Sequence, residues 1–328
     1  MKALVIGEAE VPRLLPMEAC IEAMADVLGA LARGEALQPL RSILRPAGAP
    51  GLMAVMPAWR GSAEGAFGVK IVGVFPGNLA KGLDAHQGAV ALFSGETGQP
   101  LAFVNASAVT AIRTAAVSGV ATRALAREDA GDLAIVGASV QAATHLEAMA
   151  CVRRLRRVRV ASRDPERARA FARSHGERFA FPVQAVASVE EAVRGADLVV
   201  TATSSATPVL RREWVATGAH LNVIGASLPD RREVDGATVA AASLFVDRRE
   251  SAQNEAGDYL LALREGAIRE GHIRAELGEV LTARHPGRTA KDEITLFKSL
   301  GLAVEDLAAA AVVYRRAKEA GAGQWVEF

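Results

Sequence analysis

Apolar residues near the start of the chain follow first a helical and then an alternating pattern. From Met17 to Leu31 they recur on one helix face, and Gly34 follows, which predicts an amphipathic helix. Short apolar runs separated by glycine and proline predict a mostly antiparallel sheet. These runs are Ser42–Leu44, Leu52–Met56, Val69–Phe75 and Ala89–Phe93.

A turn motif and a long helix close this region. The residues GETGQP, Gly95–Pro100, predict a hairpin turn into a strand at Leu101–Val104. An alanine-rich helix is predicted from Val109 to Arg127.

Beyond that helix, strand patterns alternate with helix patterns, which is typical of a parallel doubly wound sheet. The predicted strands are Leu133–Val136, Val158–Ala161, a short one near Val183, and the segments DLVVTAT, HLNVIG and SLFVD. A last helix, Val304–Ala320, carries apolar residues on one face and is predicted to pack back on the first domain. The fold class is therefore α/β with a second α+β domain.

Length, charge and composition favour small molecules as the partners of this chain. The chain has 328 residues, enough for two domains, and its formal charge of +1 gives no electrostatic footprint for nucleic acid or an anionic membrane. No apolar run is long enough for a signal peptide or a membrane span, so a cytoplasmic protein with small-molecule partners is expected. Cys20 and Cys151 lie in apolar helical contexts and are expected to pack as small hydrophobic residues.

A glycine turn follows the strand Leu133–Val136. The dinucleotide-binding spacing G-x-G-x-x-G/A falls here on Gly137, Ser139 and Ala142. Ser139 replaces the glycine that normally lets the backbone approach the pyrophosphate. The motif therefore fits either a cofactor loop or a structural strand-to-helix turn.

The end of the next strand indicates which cofactor is preferred. Asp164 precedes Pro165 and a helical run, which predicts a helix N-cap rather than a ribose ligand. Ser162 and Arg163 then offer a hydroxyl and a charge to a 2′-phosphate, so NADP(H) is favoured over NAD(H). A surface arginine pointing into solvent is the alternative.

Several segments together resemble the ornithine cyclodeaminase/μ-crystallin family along nearly the whole chain. They are MPAW at Met56, GVKIVGVFPGN at Gly68, the helix Val109–Arg127, GASVQA at Gly137, GASLPDRREVD at Gly225, and DEITLFKSLGLAVEDLAAA at Asp292. The resemblance implies a Rossmann domain over 113–302. It also implies a substrate-binding and dimerisation domain made of 1–112 with 303–328, and a homodimer.

The resemblance also implies residue roles. The Gly-Xaa-Gly-Xaa-Gln-Ala pattern holds NAD(P) in the family, and Gln141 and Ala142 retain its end, so the loop is expected to bind cofactor despite Ser139. The expected cofactor-binding residues are Thr114, Gly137, Ser139, Val140, Gln141, Ala142, Ser162, Arg163, Thr201, Thr203, Ser204, Gly225 and Ser299. Strand-end Thr and Ser are also ordinary caps.

Three cations are candidates for holding a substrate carboxylate. Lys70 lies inside an apolar strand, so it must meet an anion, face an open pocket or lie on an edge strand in solvent. A guanidinium suits two-point contact with a carboxylate. In the family the matching cations hold the substrate α-carboxylate, which assigns Arg41, Lys70 and Arg113 to that role.

Ser227 stands where the cyclodeaminases of the family carry an aspartate that acts as general base. A serine hydroxyl can orient a water but is no substitute for a carboxylate base, and the ketimine-reductase branch shares this serine. The expected reaction is hydride transfer to a ketimine carboxylate, such as Δ1-pyrroline-2-carboxylate, with the proton coming from Lys70 or a water near Ser227.

Two other functions stay open at this point. One is an ornithine cyclodeaminase in which Asp230 or Glu233 replaces the missing acid, and the other is a non-catalytic protein that binds NADPH and a carboxylate ligand. The six histidines contain no pair at metal-ligand spacing, so no metal is predicted.

Overall fold

The computed structural model describes residues 2–61 and 66–327. The chain divides into two compact units, Met1–Thr114 with Gly301–Phe328, and Ala115–Leu300. Each unit is built around a β-sheet with helices, so the mixed α/β fold class expected from the sequence is confirmed.

The elements are numbered in chain order. The strands are β1 Lys2–Ile6, β2 Ala36–Leu37, β3 Ser42–Leu44, β4 Leu52–Arg60, β5 Ala66–Val74, β6 His86–Ser94, β7 Pro100–Asn105, β8 Asp132–Val136, β9 Arg157–Ala161, β10 Val183–Ala185, β11 Leu198–Thr201, β12 His220–Val223, β13 Ser243–Val246, β14 Ile273–Glu276, β15 Thr295–Lys298 and β16 Gln324–Glu327. The helices are α1 Val11–Leu14, α2 Met17–Arg33, α3 Ala106–Leu125, α4 Val140–Val152, α5 Pro165–Gly176, α6 Val189–Val193, α7 Gly236–Ala241, α8 Arg249–Glu255, α9 Gly257–Arg264, α10 Leu277–Leu281 and α11 Ala303–Ala320. Short 3₁₀ turns cover Pro76–Lys81 and Arg212–Trp214.

The sheet of the unit formed by both chain ends has the strand order β16-β1-β7-β6-β5-β4-β2, and β3 also pairs with β4. Its pairs are antiparallel except for the parallel pair β1 and β7, as the short alternating runs predict. The predicted hairpin turn is confirmed, since Gly98 N–H donates to Ser94 O at 3.0 Å.

Helix α11 packs on strands β4 to β7 of this sheet and on α2. The contact is close at Gly68, where a Cβ atom would lie 2.7 Å from Leu307 Cδ1. The sequence prediction that the last helix returns to the first domain is therefore confirmed. Along β5 the buried residues Gly68, Lys70 and Val72 alternate with the more exposed Phe67, Val69 and Ile71.

The sheet of the second unit is parallel throughout, in the order β10-β9-β8-β11-β12-β15-β13-β14. Its central strands β8, β11, β12 and β15 are buried almost throughout, as expected where both sheet faces are covered. Because the strands are parallel, all their carboxyl ends meet at one edge, which is where doubly wound sheets bind ligands.

The expectation for the cysteines is half right. Cys20 is buried in α2, but Cys151 is exposed on α4. The buried stripe of α4 runs through Ala142, His145, Leu146 and Met149, and position 151 falls on the other side of the helix.

No helix in the described part of the chain is both long enough and apolar enough to cross a membrane.

Candidate functional site

Lys70 is buried on a central strand of the unit formed by both chain ends. Strand β5 pairs with β4 and with β6, so the edge-strand alternative is wrong. The Lys70 side chain is 4% exposed, and its Nζ lies 3.2 Å from Asp306 Oδ1 and 2.6 Å from Thr110 Oγ1. The anion that the sequence required for this ammonium is therefore Asp306, in the first turn of α11.

Arg113 shares that carboxylate. Its Nε donates to Asp306 Oδ1 at 2.9 Å, and its Nη1 donates to Glu305 Oε2 at 2.9 Å. Glu305 also accepts from the N–H of Leu302, which holds the start of α11. The first turn of α11 thus orients Arg113 and Lys70 together, a link that sequence reasoning did not find.

The third cation, Arg41, contacts Gly301, which lies against the Arg113 guanidinium. Arg41 Nη2 lies 3.4 Å from Gly301 O. Gly301 has φ +80°, and a Cβ atom there would lie 2.7 Å from both Nη1 and Nη2 of Arg113. A side chain at this position would be strained and would displace the guanidinium, so glycine is required.

The buried charges of this cluster are equal in number. Lys70 and Arg113 pair with Glu305 and Asp306, and the partly buried Arg41 adds a further guanidinium at Gly301. Burial lowers the pKa of Lys70 to about 8, although Asp306 opposes the shift. Burial alone would raise the pKa of Asp306, but Arg113 and Lys70 outweigh it and hold that pKa below its usual value. Lys70 and Asp306 are therefore both charged at neutral pH.

In the other unit, the glycine turn lies at the carboxyl end of β8, the strand that separates the two halves of the sheet. Gly137 has φ +115°, and a Cβ atom there would lie 2.6 Å from Ala202 O. Helix α4 begins directly after this turn, and its first residue, Val140, is 66% exposed. The positive end of the helix is therefore open to solvent, as binding of a pyrophosphate needs.

Ser139 caps α4. Its φ is −109°, and its Oγ accepts from Ala142 N–H at 3.3 Å and donates to Ala202 O at 3.3 Å. This backbone conformation is open to any residue. The side chain that replaces the second glycine therefore caps the N-terminus of α4.

The other predicted cofactor residues spread along the same edge. Ser162 and Arg163 follow β9, on one side of Gly137, and Ser162 Oγ accepts from Asp164 N–H at 3.4 Å. Arg163 is exposed. Asp164 accepts from the N–H groups of Glu166 and Arg167 at the start of α5, so the predicted N-cap is confirmed.

On the other side of Gly137 lie the ends of β11, β12 and β15. Ser204 is exposed after β11, whereas Thr201 is fully buried. Ser227 is exposed in the loop after β12. Ser299 follows β15 and is buried, and its Oγ has no hydrogen-bond partner among the described residues. Thr114 is buried in α3.

Glu233, weighed in the sequence analysis as a replacement for the missing acid, lies in the interior of its unit. Its carboxylate is completely buried and accepts from Thr201 Oγ1 at 2.8 Å, Thr203 N–H and Oγ1 at 2.7 Å each, and Gly225 N–H at 2.5 Å. Burial raises the pKa of Glu233, while Lys298 and the bonds from Thr203 oppose that shift. These contacts occupy both oxygens, which removes Glu233 as a solvent-facing base.

Within residues 2–61 and 66–327, His, Cys, Asp and Glu side chains form no group of three or more that could hold a metal ion.

The sequence profile of the ornithine cyclodeaminase/mu-crystallin family matches residues 1–321. The chain belongs to this family. The resemblance stated from the sequence is thereby confirmed.

Relatives within the ornithine cyclodeaminase/mu-crystallin family include reductases. Ketimine reductase mu-crystallin of Mus musculus is 42% identical over 282 residues, which cover 86% of this chain and 85% of the mouse protein. The structure of Thermococcus litoralis Δ1-pyrroline-2-carboxylate reductase in complex with NADH and L-proline superimposes with a TM-score of 0.95. It is 37% identical and covers 98% of this chain and 99% of its own.

An alanine dehydrogenase of archaeal origin is similar as well. This dimer with bound NAD has a TM-score of 0.94 and 34% identity, and the match covers all of both chains. Dehydrogenases and reductases with nicotinamide cofactors therefore share the fold of this chain over its full length.

Proposed function

We propose that this chain is an NAD(P)H-dependent reductase of small ketimine monocarboxylates, with Δ1-pyrroline-2-carboxylate as substrate and L-proline as product. The observation that carries the proposal is the convergence of three cations, Arg41, Lys70 and Arg113, around the start of α11. Guanidinium and ammonium groups make strong charge-assisted hydrogen bonds to a carboxylate, so this arrangement suits a small monocarboxylate. The reductase relatives support the same substrate class.

In this proposal Arg113, Lys70 and Arg41 hold the substrate carboxylate. Glu305 and Asp306 keep the Arg113 guanidinium in a fixed plane, so little side-chain freedom is lost when the substrate binds. Lys70 also donates the proton that the imine nitrogen needs, because a pKa of about 8 suits an acid working near neutral pH. Ser227 orients the substrate or a water by hydrogen bonding, and no carboxylate base is required for reduction.

The residues of the second unit fit a dinucleotide. The close approach of Gly137 to Ala202, the open start of α4 and the order of the strand ends make a cradle in which Ser162 and Arg163 lie on the adenosine side. We assign the 2′-phosphate of NADP(H) to Arg163, with NAD(H) as the weaker ligand. When bound, the reduced nicotinamide supplies the hydride.

The same reasoning disfavours a cyclodeaminase. Deamination needs a base for the amino group and the attacking water, and Ser227 cannot serve unaided. Glu233 is committed to Thr201, Thr203 and Gly225.

The test is a substrate panel with the purified chain. We expect NADPH oxidation, followed by nicotinamide absorbance, with Δ1-pyrroline-2-carboxylate, and no ammonia from L-ornithine with NAD⁺. Arg113→Lys loses the two-point grip and should raise KM roughly tenfold or more, the equivalent of about 1.4 kcal/mol. Arg123→Lys, an exposed position on the same helix, is the matched control.

Ornithine converted to proline with release of ammonia would overturn the reductase assignment. Tight NADPH binding without oxidation by any imine carboxylate would instead indicate a binding protein.

A further inference from the structure

Glu233 joins two loops at the carboxyl edge of the parallel sheet. The donors to its carboxylate are Thr201 and Thr203, at the end of β11, and Gly225, after β12. Strands β11 and β12 are neighbours in the sheet, with Thr201 opposite Val223. The loop that begins at Gly225 carries Ser227 two residues later.

The packing between Gly225, Thr203 and Glu233 is close. A Cβ atom at Gly225 would lie 2.0 Å from Thr203 O and 2.6 Å from Glu233 Oε1. The two loops and the carboxylate are therefore in mutual contact, and a shift of any one displaces the others.

A buried ion pair supports Glu233 from behind. Asp258 Oδ1 accepts from the backbone N–H groups of Glu233 and Val234 at 2.7 and 3.1 Å. Asp258 Oδ2 lies 2.9 Å from Lys298 Nζ, and Lys298 also donates to Val223 O at 3.3 Å. The backbone of Glu233 is thus fixed to β12 and to β15, so its carboxylate is attached to a rigid segment of backbone.

We infer that Glu233 is a positioning residue. It holds the loops after β11 and β12 so that Ser227 takes one fixed place at the carboxyl edge of the parallel sheet. The inference rests on the proposed function, since it gives Ser227 a part in imine reduction. Glu233 acts through these loops and exchanges no proton in the reaction.

Glu233→Gln tests the inference sharply. Each carboxylate oxygen accepts from one backbone N–H, Thr203 at Oε1 and Gly225 at Oε2. Whichever way the amide turns, its NH₂ group faces one of those N–H donors, so one loop is released while the side-chain volume is kept.

Asp197→Asn is the control for the same carboxylate-to-amide change away from the carboxyl edge. Asp197 Oδ2 accepts from the backbone N–H groups of Gly131 and Asp132 at 3.0 Å, and the carboxylate also pairs with Arg127 and Arg156. Asp197 precedes β11, at the opposite edge of the same sheet. Amide hydrogen exchange and steady-state kinetics of the full-length chain with cofactor are measured for both variants.

We expect Glu233→Gln to speed exchange in residues 202–206 and 224–228 and to lower kcat roughly ten- to a hundredfold. KM for Δ1-pyrroline-2-carboxylate should change less than about threefold, since the carboxylate grip lies elsewhere, and the pH profile of kcat should keep its shape. Asp197→Asn can keep its one oxygen toward both N–H groups, weakens the pairing with Arg127 and Arg156, and should leave kcat within about twofold.

Faster exchange with unchanged kcat overturns the inference, and so does loss of one limb of the pH profile, which would make Glu233 a proton-transfer group. If Glu233→Gln does not fold, Thr201→Val removes one hydroxyl donor and must still speed exchange and lower kcat. A wild-type chain that reduces no imine carboxylate contradicts the proposed function, and the exchange comparison then decides whether Glu233 holds the loops.

Discussion

Lys70 carries its charge in a buried strand because Asp306 and Thr110 meet it there. Burial, together with the nearby cations Arg113 and Arg41, lowers the pKa of this ammonium to about 8 against the opposing effect of Asp306. In the unfolded chain the lysine titrates near 10.5, so the folded protein releases its proton first as the pH rises. The charged form that the proposed substrate binding and proton donation require is therefore lost above about pH 8.

Lys70→Arg tests this dual role. The guanidinium keeps the positive charge at every pH but cannot give up a proton, so we expect kcat to fall by roughly 10²-fold or more while substrate still binds. The wild-type decline above pH 8 should be absent from the residual activity. Lys81→Arg serves as control, and a Lys70→Arg enzyme with wild-type kcat contradicts the proton-donor role.

The proposed preference for NADP(H) rests on Arg163. Arg163→Ala should remove a charge-assisted hydrogen bond of roughly 1.5–3 kcal/mol from NADPH and leave NADH binding nearly unchanged. Titration of both cofactors by fluorescence measures the difference. Equal losses for both would show that Arg163 has a structural role.

Sequence reasoning identified the cations but not the groups that hold them. An ammonium in an apolar strand demands an anion, which is a local argument. Asp306 lies 236 positions further along the chain, and no spacing rule connects the two residues. Glu233 was weighed as a spare base for the same reason: its contacts with Thr201 and Gly225 exist only once β11 and β12 are neighbours.

At the scale of elements, Ser139 stabilises the start of α4 at a position where the family pattern has glycine. A glycine there would bring the backbone nearer a phosphate, whereas the serine satisfies an N–H at the start of α4. We expect Ser139→Ala to cost about 1 kcal/mol of unfolding free energy and Ser139→Gly only a few tenths. Denaturant titration of both variants checks this order, and an Ala variant as stable as wild type contradicts the capping role.

Local chemistry explains which elements were predictable. The Asp164–Pro165 helix start and the GETGQP turn have strong local signals, and both are confirmed. Strands β14 and β16 were not predicted, because Ile273–Glu276 and Gln324–Glu327 alternate with charged or polar residues and become strands through their neighbours.

At the scale of the molecule, one face of the antiparallel sheet is apolar and exposed. Met53, Phe67 and Ile71 are 48, 49 and 44% exposed, and Phe67 and Ile71 alternate with the buried Lys70 and Val72 along β5. Contiguous apolar surface of this kind marks an interface, and we propose that a second copy of the chain covers it.

Light scattering of the purified chain should therefore give twice the monomer mass of 34.3 kDa. Ile71→Glu places a charge in the middle of this face and should shift the mass toward the monomer. Leu83→Glu changes an exposed leucine outside the strands and is the control. A monomeric wild-type chain at micromolar concentration contradicts the proposal.

Helix α11 also has a consequence for synthesis on the ribosome. The antiparallel sheet is complete except for β16 once β7 has been made, yet the helix that packs on β4 to β7 begins only at Ala303. Between Thr114 and Ala303 the ribosome adds the whole of the other unit, which takes about 10–40 s at roughly 5–20 residues per second. The nascent sheet lacks that cover during this interval, so chaperones that recognise apolar strands have a defined time window in which to act on this chain.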